Sequence, residues 1–159
     1  MNAPESPYEM TNKVEDEIKV FYDLYPYPPP VADLDHYRQL WEEGDRLRVD
    51  YHLLWPGASY REDLDILVAG CGTSQAARHA IRQPTARITG IDVSSTSLRH
   101  TRELKRTYKL ANLDIHQLPL ERVDELSRVF DKIVCTGVLH HLSDPVAGLR
   151  ALRSALKPG

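Results

Sequence analysis

Leu64 to Ser74, LDILVAGCGTS, limits what this chain can fold into more than any other stretch. An apolar run, Ile66-Leu67-Val68, passes without a break into Gly70-Cys71-Gly72, and the residues from Gln75 to Arg82 read as helix. Strand, glycine turn and helix in that order make a ligand cradle. Glycine lets the backbone turn sharply and lets a ligand touch it with no Cβ in the way, and the helix N-terminus offers unpaired N–H groups.

From Leu64 onward apolar strands alternate with amphipathic helices. Strands are expected at 64–69, 87–92, 111–116 and 130–136, and helices at 74–83, 95–109, 120–127 and 144–157. This order predicts an α/β fold, a Rossmann-like doubly wound parallel sheet with right-handed crossovers and helices on both faces. Residues 1–12 hold few large apolar side chains and read as a disordered tail. Val14, Ile18, Phe21, Tyr22 and Tyr25 have helical spacing, with Glu15, Asp16 and Glu17 near the start, where the helix dipole favours acids. Pro26-Tyr27-Pro28-Pro29-Pro30 must be extended, because each proline fixes φ and biases the residue before it away from helix. A second helix is expected over 33–54, closed by Pro56-Gly57. The chain therefore divides into a tail (1–12), a helical N-terminal extension with a Tyr/Pro elbow (13–60) and a Rossmann-like domain (61–159).

A chain of 159 residues is one domain's worth, large enough to bury a core without staples. Its longest apolar runs are about six residues, against the roughly 20 that cross a bilayer, and no basic-then-apolar leader opens it. A cytoplasmic protein with no membrane partner is expected. Cys71 and Cys135 make no CxxC pair and no zinc spacing. Residues 1–60 carry 12 acids and 5 bases and residues 61–159 carry 11 acids and 15 bases, a swing best read as solvated helix faces. The lack of a basic stripe argues against nucleic acid.

Asp92 ends the second strand, 20 residues after Gly72. In a doubly wound sheet it stands beside the glycine turn, where a carboxylate can accept both hydroxyl hydrogens of a ribose. Taken alone, this pair fits either a nicotinamide cofactor or S-adenosylmethionine. Gln75 occupies the place of the third glycine in the dinucleotide fingerprint, which weakens the pyrophosphate reading.

Two later stretches add to the pattern: Asn112 to Pro119, NLDIHQLP, with an acid ahead of Leu-Pro, and Phe130 to Leu142, FDKIVCTGVLHHL, a strand running into a polar turn. With ILVAGCGTS and the terminal LRSALKPG, these resemble the motif series of class I S-adenosylmethionine-dependent methyltransferases, from about Asp63 to Gly159. Phe21 to Pro30, FYDLYPYPPP, resembles an N-terminal element of a bacterial subgroup. The resemblance implies S-adenosyl-L-methionine as cofactor. Gly70, Cys71 and Gly72 would line its methionine and ribose part, Asp92 would hold the ribose hydroxyls and Val93 would pack on the adenine. Asp114 would accept a hydrogen bond from the adenine amino group, and Thr136, Gly137 and Val138 would lie under the methionine end. The sequence departs from the family pattern at Val68, where an acid is usual, and at Ser74, where a third glycine is.

His140 and His141 are the only candidates for a catalytic base, and a packing role in the turn competes with that reading. No metal site is expected, since adjacent histidines in an extended segment point apart. Tyr22, Tyr25 and Tyr27 form a lid or an acceptor wall, or pack the first helix on the sheet. The methyl acceptor is a small molecule or a protein side chain such as lysine. The competing readings are a noncatalytic cofactor-binding or assembly module and, more distantly, an NAD-dependent enzyme. The fourth strand is apolar on both faces and is expected to be central. The family's sheet has more strands than the four read here, so the chain is expected to be a fragment that self-associates through that strand's exposed edge.

Overall fold

The computed structural model describes residues 7–41 and 45–158. Its elements run α1 (Pro7–Leu24), α2 (Asp35–Leu40), α3 (Asp45–Leu54), β1 (Asp65–Ala69), α4 (Gln75–Arg82), β2 (Arg87–Asp92), α5 (Ser95–Thr107) and β3 (Leu113–Gln117), then a 3-10 segment (Leu120–Leu126), β4 (Lys132–Cys135), a 3-10 turn (Leu139–His141) and α6 (Pro145–Ser154). The four strands are parallel in the order β3-β2-β1-β4. This is the expected Rossmann-like sheet, reversing direction of growth after β3.

β1 is buried along its whole length, as its unbroken apolar run requires. Alternate residues face opposite sides of the sheet. Ile66 and Val68 join Ile88, Leu98 and the alanines of α4 in one core, and Leu67 and Ala69 join Ile91, Leu118, Phe130 and Leu152 in the other. The small residues of α4 let it approach closely: a Cβ on Gly90 would come within 2.8 Å of the Ala76 Cβ and 3.1 Å of the Cys71 sulfur.

Three elements differ from the sequence expectation. α1 begins at Pro7, inside the stretch read as a disordered tail, and residues 1–6 lie outside the described residues. Proline suits a first helical turn, where its missing N–H is not needed. The single helix expected over 33–54 is two, with Trp41 closing α2 by donating its N–H to Arg38. Residues 120–127 form a 3-10 segment rather than an α-helix: Pro119 is extended, Arg122 leaves helical geometry and Ser127, at φ +50°, ends it. β4 lies at an edge, as expected where only four strands are present. All four of its residues are half-buried, and it pairs only with β1 among the described residues.

The N-terminal extension is fastened to the sheet domain by specific contacts. Asp23, at the end of α1, caps α5: it accepts the Ser94 hydroxyl at 2.8 Å and the Thr96 N–H at 3.0 Å, and pairs with Lys19 at 2.9 Å. Burial opposes its charge, but the Thr96 N–H, Lys19 and Ser94 outweigh that and hold the carboxyl well below the usual range. Leu34 is fully buried, with its N–H on the Tyr108 hydroxyl. The guanidinium groups of Arg78 and Arg82 lie over the rings of Tyr37 and Trp41.

The amino end of the sheet is closed by charge. Asp65 pairs bidentately with Arg87 (2.7 and 2.8 Å), its neighbour across the β1–β2 ladder, and also with Lys157 (2.9 Å) and Arg128 (3.5 Å). Lys157 reaches Asp131 at 2.7 Å as well, and Asp131 accepts the Asp65 N–H. The segment after α6 is thereby tied back onto the start of β1.

Candidate functional site

The site is built at the opposite, carboxyl end. Where β1 stops, the N–H groups of Gly70 and Cys71 both donate to the Ile91 carbonyl at 2.9 Å, which folds the turn across the end of β2. Gly70 and Gly72 have φ of +68° and +54°, in the left-handed region that side chains with a Cβ avoid. Space at Gly72 is equally demanding. A Cβ there would stand 2.5 Å from the Tyr27 carbonyl oxygen, because the Tyr/Pro elbow lies directly on the turn and Thr73 donates its hydroxyl to the Pro28 carbonyl at 2.6 Å.

Asp92 is the centre of this arrangement. One carboxylate oxygen accepts the Gly72 N–H at 2.7 Å and the other accepts the Ser94 N–H at 2.9 Å. A carboxylate has about four acceptor positions, so these N–H groups, with that of Val93, leave capacity for a ligand. Burial pushes the Asp92 carboxyl up, against the lowering effect of the Ser94 and Gly72 N–H groups.

A cleft with about 830 Å³ of empty space, open to solvent, runs from Asp92 to the turn after β4. One wall comes from the N-terminal extension through Ile18, Tyr22, Tyr27 and Pro28; the far side comes from Thr136, Gly137, Val138 and His141. Among the described residues its lining contains two carboxylates, Asp92 and Glu121, and no lysine or arginine.

The structure brings most of the expected residues together: Gly70, Gly72, Asp92, Val93, Thr136, Gly137 and Val138 all line the cleft, as do Tyr22 and Tyr27. Four do not. Cys71 is fully buried behind the turn with its sulfur toward Gly90, and burial pushes its thiol well up, so it fills space instead of meeting a ligand. Tyr25 packs on Phe21 with ring centroids 5.3 Å apart and is 65% exposed, outside the cleft. His140 stacks on His141, centroids 4.0 Å apart, and only His141 faces the cleft.

Asp114 is the fourth. It pairs with Thr89 near the start of β3, whereas Gln117 pairs with Asp92. Three strand residues separate it from the carboxyl end, about 10 Å. Its exposed carboxylate lies 3.9 Å from Lys105 and 3.8 Å from Arg128. The residues that take its place were not singled out from sequence. Gln117 donates its side-chain N–H to the Val93 carbonyl at 3.0 Å, and Leu118 donates its backbone N–H to the Asp92 carbonyl at 3.1 Å. The signal was Pro119: a proline cannot donate to a ladder, so β3 runs on until just before Leu-Pro and presents Gln117, not Asp114, at its end. The departures at Val68 and Ser74 are both buried, Val68 in the core and Ser74 at the start of α4 with its hydroxyl unpartnered. Among the described residues, no three histidine, cysteine or acidic side chains gather as metal ligands would.

Comparison with known proteins places this geometry. Residues 67–159 match the family model of a methyltransferase domain, Methyltransf_12. The chain is 37% identical over 155 residues to an uncharacterized protein of Synechococcus sp. (strain ATCC 27144), covering 94% of this chain and 36% of that one. It is 32% identical over 114 residues to the ubiquinone biosynthesis O-methyltransferase of Pseudomonas aeruginosa (strain UCBPP-PA14), 71% and 47% of the two chains. It is 29% identical over 99 residues to the tRNA U34 carboxymethyltransferase of Nautilia profundicola, 62% and 32% of the two. Among solved structures it resembles PKMT2 from Rickettsia typhi in complex with AdoHcy, with a TM-score of 0.54 and 28% identity, covering 61% of this chain and 20% of that one. The chain thus spans less than half the length of these relatives.

Proposed function

We propose, on the premise that this chain belongs to the methyltransferase-domain family, that its cleft binds S-adenosyl-L-methionine and that the whole protein transfers the methyl group to a small molecule or a protein side chain such as lysine. The observation that carries this reading is Asp92: a half-buried carboxylate fixed by two backbone N–H groups, with acceptor capacity left over, facing a cleft with no cationic side chain in its lining. Such a cleft suits a cation. It is ill suited to the diphosphate of a nicotinamide cofactor, and Gln75 stands in the cleft where the dinucleotide pattern wants glycine.

Asp92 would hold the ribose hydroxyls and Val93 would pack on the adenine. At the strand end where the sequence resemblance placed an acid, Leu118 and Pro119 line the cleft, and Gln117 beside them fixes the Val93 carbonyl. Gly70, Gly72, Thr136, Gly137 and Val138 would line the methionine end. When bound, S-adenosylmethionine supplies a methyl group already activated on a sulfonium. The protein's share is to align donor and acceptor and to exclude water, which the elbow and α1 favour by closing one wall. Charge also favours methyl transfer over the carboxymethyl transfer named for one relative: a carboxymethyl group is anionic, and the cleft offers it two carboxylates and, among the described residues, no lysine or arginine.

The first experiment is calorimetric titration with S-adenosylmethionine and S-adenosylhomocysteine, with NAD as control. Binding of the first two and not the third is expected; binding of NAD alone would sink the reading. The unpaired edge of β4 supports a further expectation, pairing with β4 of a second copy when this chain stands alone. Light scattering at the monomer mass would count against that.

A further inference from the structure

Tyr22 and His141 stand 119 positions apart in sequence and meet in the wall of the cleft, with the Tyr22 hydroxyl oxygen 2.8 Å from His141 Nε2. Their rings cross edge to face with centroids 5.6 Å apart, and the Phe21 ring braces Tyr22 from the other side at 5.3 Å. The groups facing the pair are His140 on its own segment, Tyr27 in the elbow, Asp92 at the end of β2 and Glu121 after β3. Burial, then the Asp92 charge, then Tyr27 push the Tyr22 phenol up; burial, then His140, push the His141 imidazole down. Near neutral pH both groups are therefore uncharged. A neutral imidazole has one N–H and one bare nitrogen, and a protonated phenol beside it donates to the bare one. His141 then carries its N–H on Nδ1, and the Tyr22 oxygen keeps lone pairs for a hydrogen arriving from the cleft.

We propose that Tyr22 and His141 form a proton relay that accepts the proton of a hydroxyl or amino methyl acceptor. This inference rests on the S-adenosylmethionine reading above. As the acceptor's lone pair forms its bond to the methyl carbon, the carbon–sulfur pair stays on sulfur and the sulfonium becomes a neutral thioether. The acceptor's O–H or N–H proton passes to the Tyr22 oxygen while the Tyr22 proton passes to His141 Nε2. Imidazolium replaces sulfonium as the one positive charge, and the phenol is regenerated. Asp92 is already committed to backbone N–H groups and the ribose, so among the described residues this pair is the place in the wall where a hydroxyl and an imidazole are linked to take a proton together. The N-terminal helix thus supplies chemistry as well as a wall.

The test is nitrogen NMR of the imidazoles in the chain saturated with S-adenosylhomocysteine, wild type and Tyr22→Phe, a substitution that keeps the ring contacts. The relay requires His141 as the Nδ1–H tautomer with a bare, hydrogen-bonded Nε2, and an apparent pKa that rises by about 0.5–1 unit in Tyr22→Phe, because the lost bond stabilised the neutral ring. A His141 proton on Nε2, or a pKa indifferent to Tyr22→Phe, overturns it. The wild-type tautomer decides the question even where the variant folds poorly. Calorimetry on the same wild-type sample keeps the two ideas apart: no binding of S-adenosylmethionine defeats the cofactor reading, whereas binding with the wrong tautomer defeats the relay alone.

Discussion

Asp92 and Asp65 are two strand carboxylates on neighbouring strands, at opposite ends of one sheet, and they are treated in opposite ways. Asp65 is saturated by Arg87, Lys157 and Arg128; the Arg87 hydrogen bonds, and then Lys157, overcome burial and hold it well below the usual carboxylate range. Asp92 has only backbone N–H groups, and burial wins, raising its pKa. A saturated acid holds a fold together, and an unsaturated one beside a cleft is available to a ligand. The difference follows from chain position. The amino end of β1 faces the start of β2, the end of α6 and their cations, while the carboxyl end faces glycine turns that expose backbone.

The comparison breaks most visibly at Asp92. Asp92→Asn is expected to lower S-adenosylmethionine affinity roughly 100-fold, about 2.7 kcal/mol, because two hydrogen bonds to a charged acceptor are weakened. Its unfolding free energy by urea titration should stay within about 1 kcal/mol of wild type, since the folded state disfavours that charge. A variant that binds as wild type does would remove Asp92 from the site.

Asp65→Ala should do the reverse. Loss of about 2 kcal/mol of stability is expected, less than the 3–5 kcal/mol of a fully buried pair because Arg87, Lys157 and Arg128 can turn to water. Cofactor affinity should hold within about twofold, a shift of ~0.4 kcal/mol. A binding defect as large as that of Asp92→Asn would show that the two ends are coupled.

Acid sharpens the contrast. With its folded pKa depressed, Asp65 contributes stability above its unfolded pKa of about 3.9, lost as pH falls through that value and below. Asp92, with its folded pKa raised, works the other way and favours folding as it takes up a proton. A larger effect sets in earlier, at His79, in the last turn of α4 at the amino end. Burial, then the Arg82 and Lys132 charges, push its imidazole down to about 3. Below pH ~6.5 the unfolded chain takes a proton that the folded chain refuses, so stability should drop by about 2 kcal/mol between pH 7 and pH 5. Urea titrations at both pH values would check this, and His79→Gln should flatten the drop.

The smallest expected effect is at the join between the extension and the sheet. Asp23→Ala removes the cap on α5 and should cost about 1 kcal/mol. Hydrogen exchange should then quicken in α1 before it does in β1 or β2. Equal protection in variant and wild type would show that α1 is held by its apolar contacts instead.

Much of this was legible in the sequence. β2 runs over 87–92 as its pattern predicts, and β1 falls within a residue of expectation, because short β-branched apolar runs between helical segments leave little choice. The same holds for the positions of Gly70, Gly72 and Asp92 at the cleft, which follow from a glycine turn at the end of one strand and an acid at the end of the next. Asp114 lies off the cleft because β3 runs on to Gln117 before Pro119 stops it. Cys71 shares the turn with its glycine neighbours, yet its side chain points into the core because successive residues of a tight turn face different sides.

The sequence by itself determined the strand–turn–helix order, the carboxylate after β2 and the end of α1 ahead of Pro26, while the elbow it read as extended bends at Tyr27 and Pro28. The first three are consequences of dihedral preference and periodicity, which act over a few residues. Only the tertiary structure decided that Tyr27 and Pro28 lie on the glycine turn, that Asp23 caps α5 and that Tyr22 meets His141. Those partners lie 45 to 119 residues apart, and no local rule links them. They are brought together by burial of Leu34 and the α4 alanines against a common core, which fixes where the N-terminal extension must cross the end of the sheet.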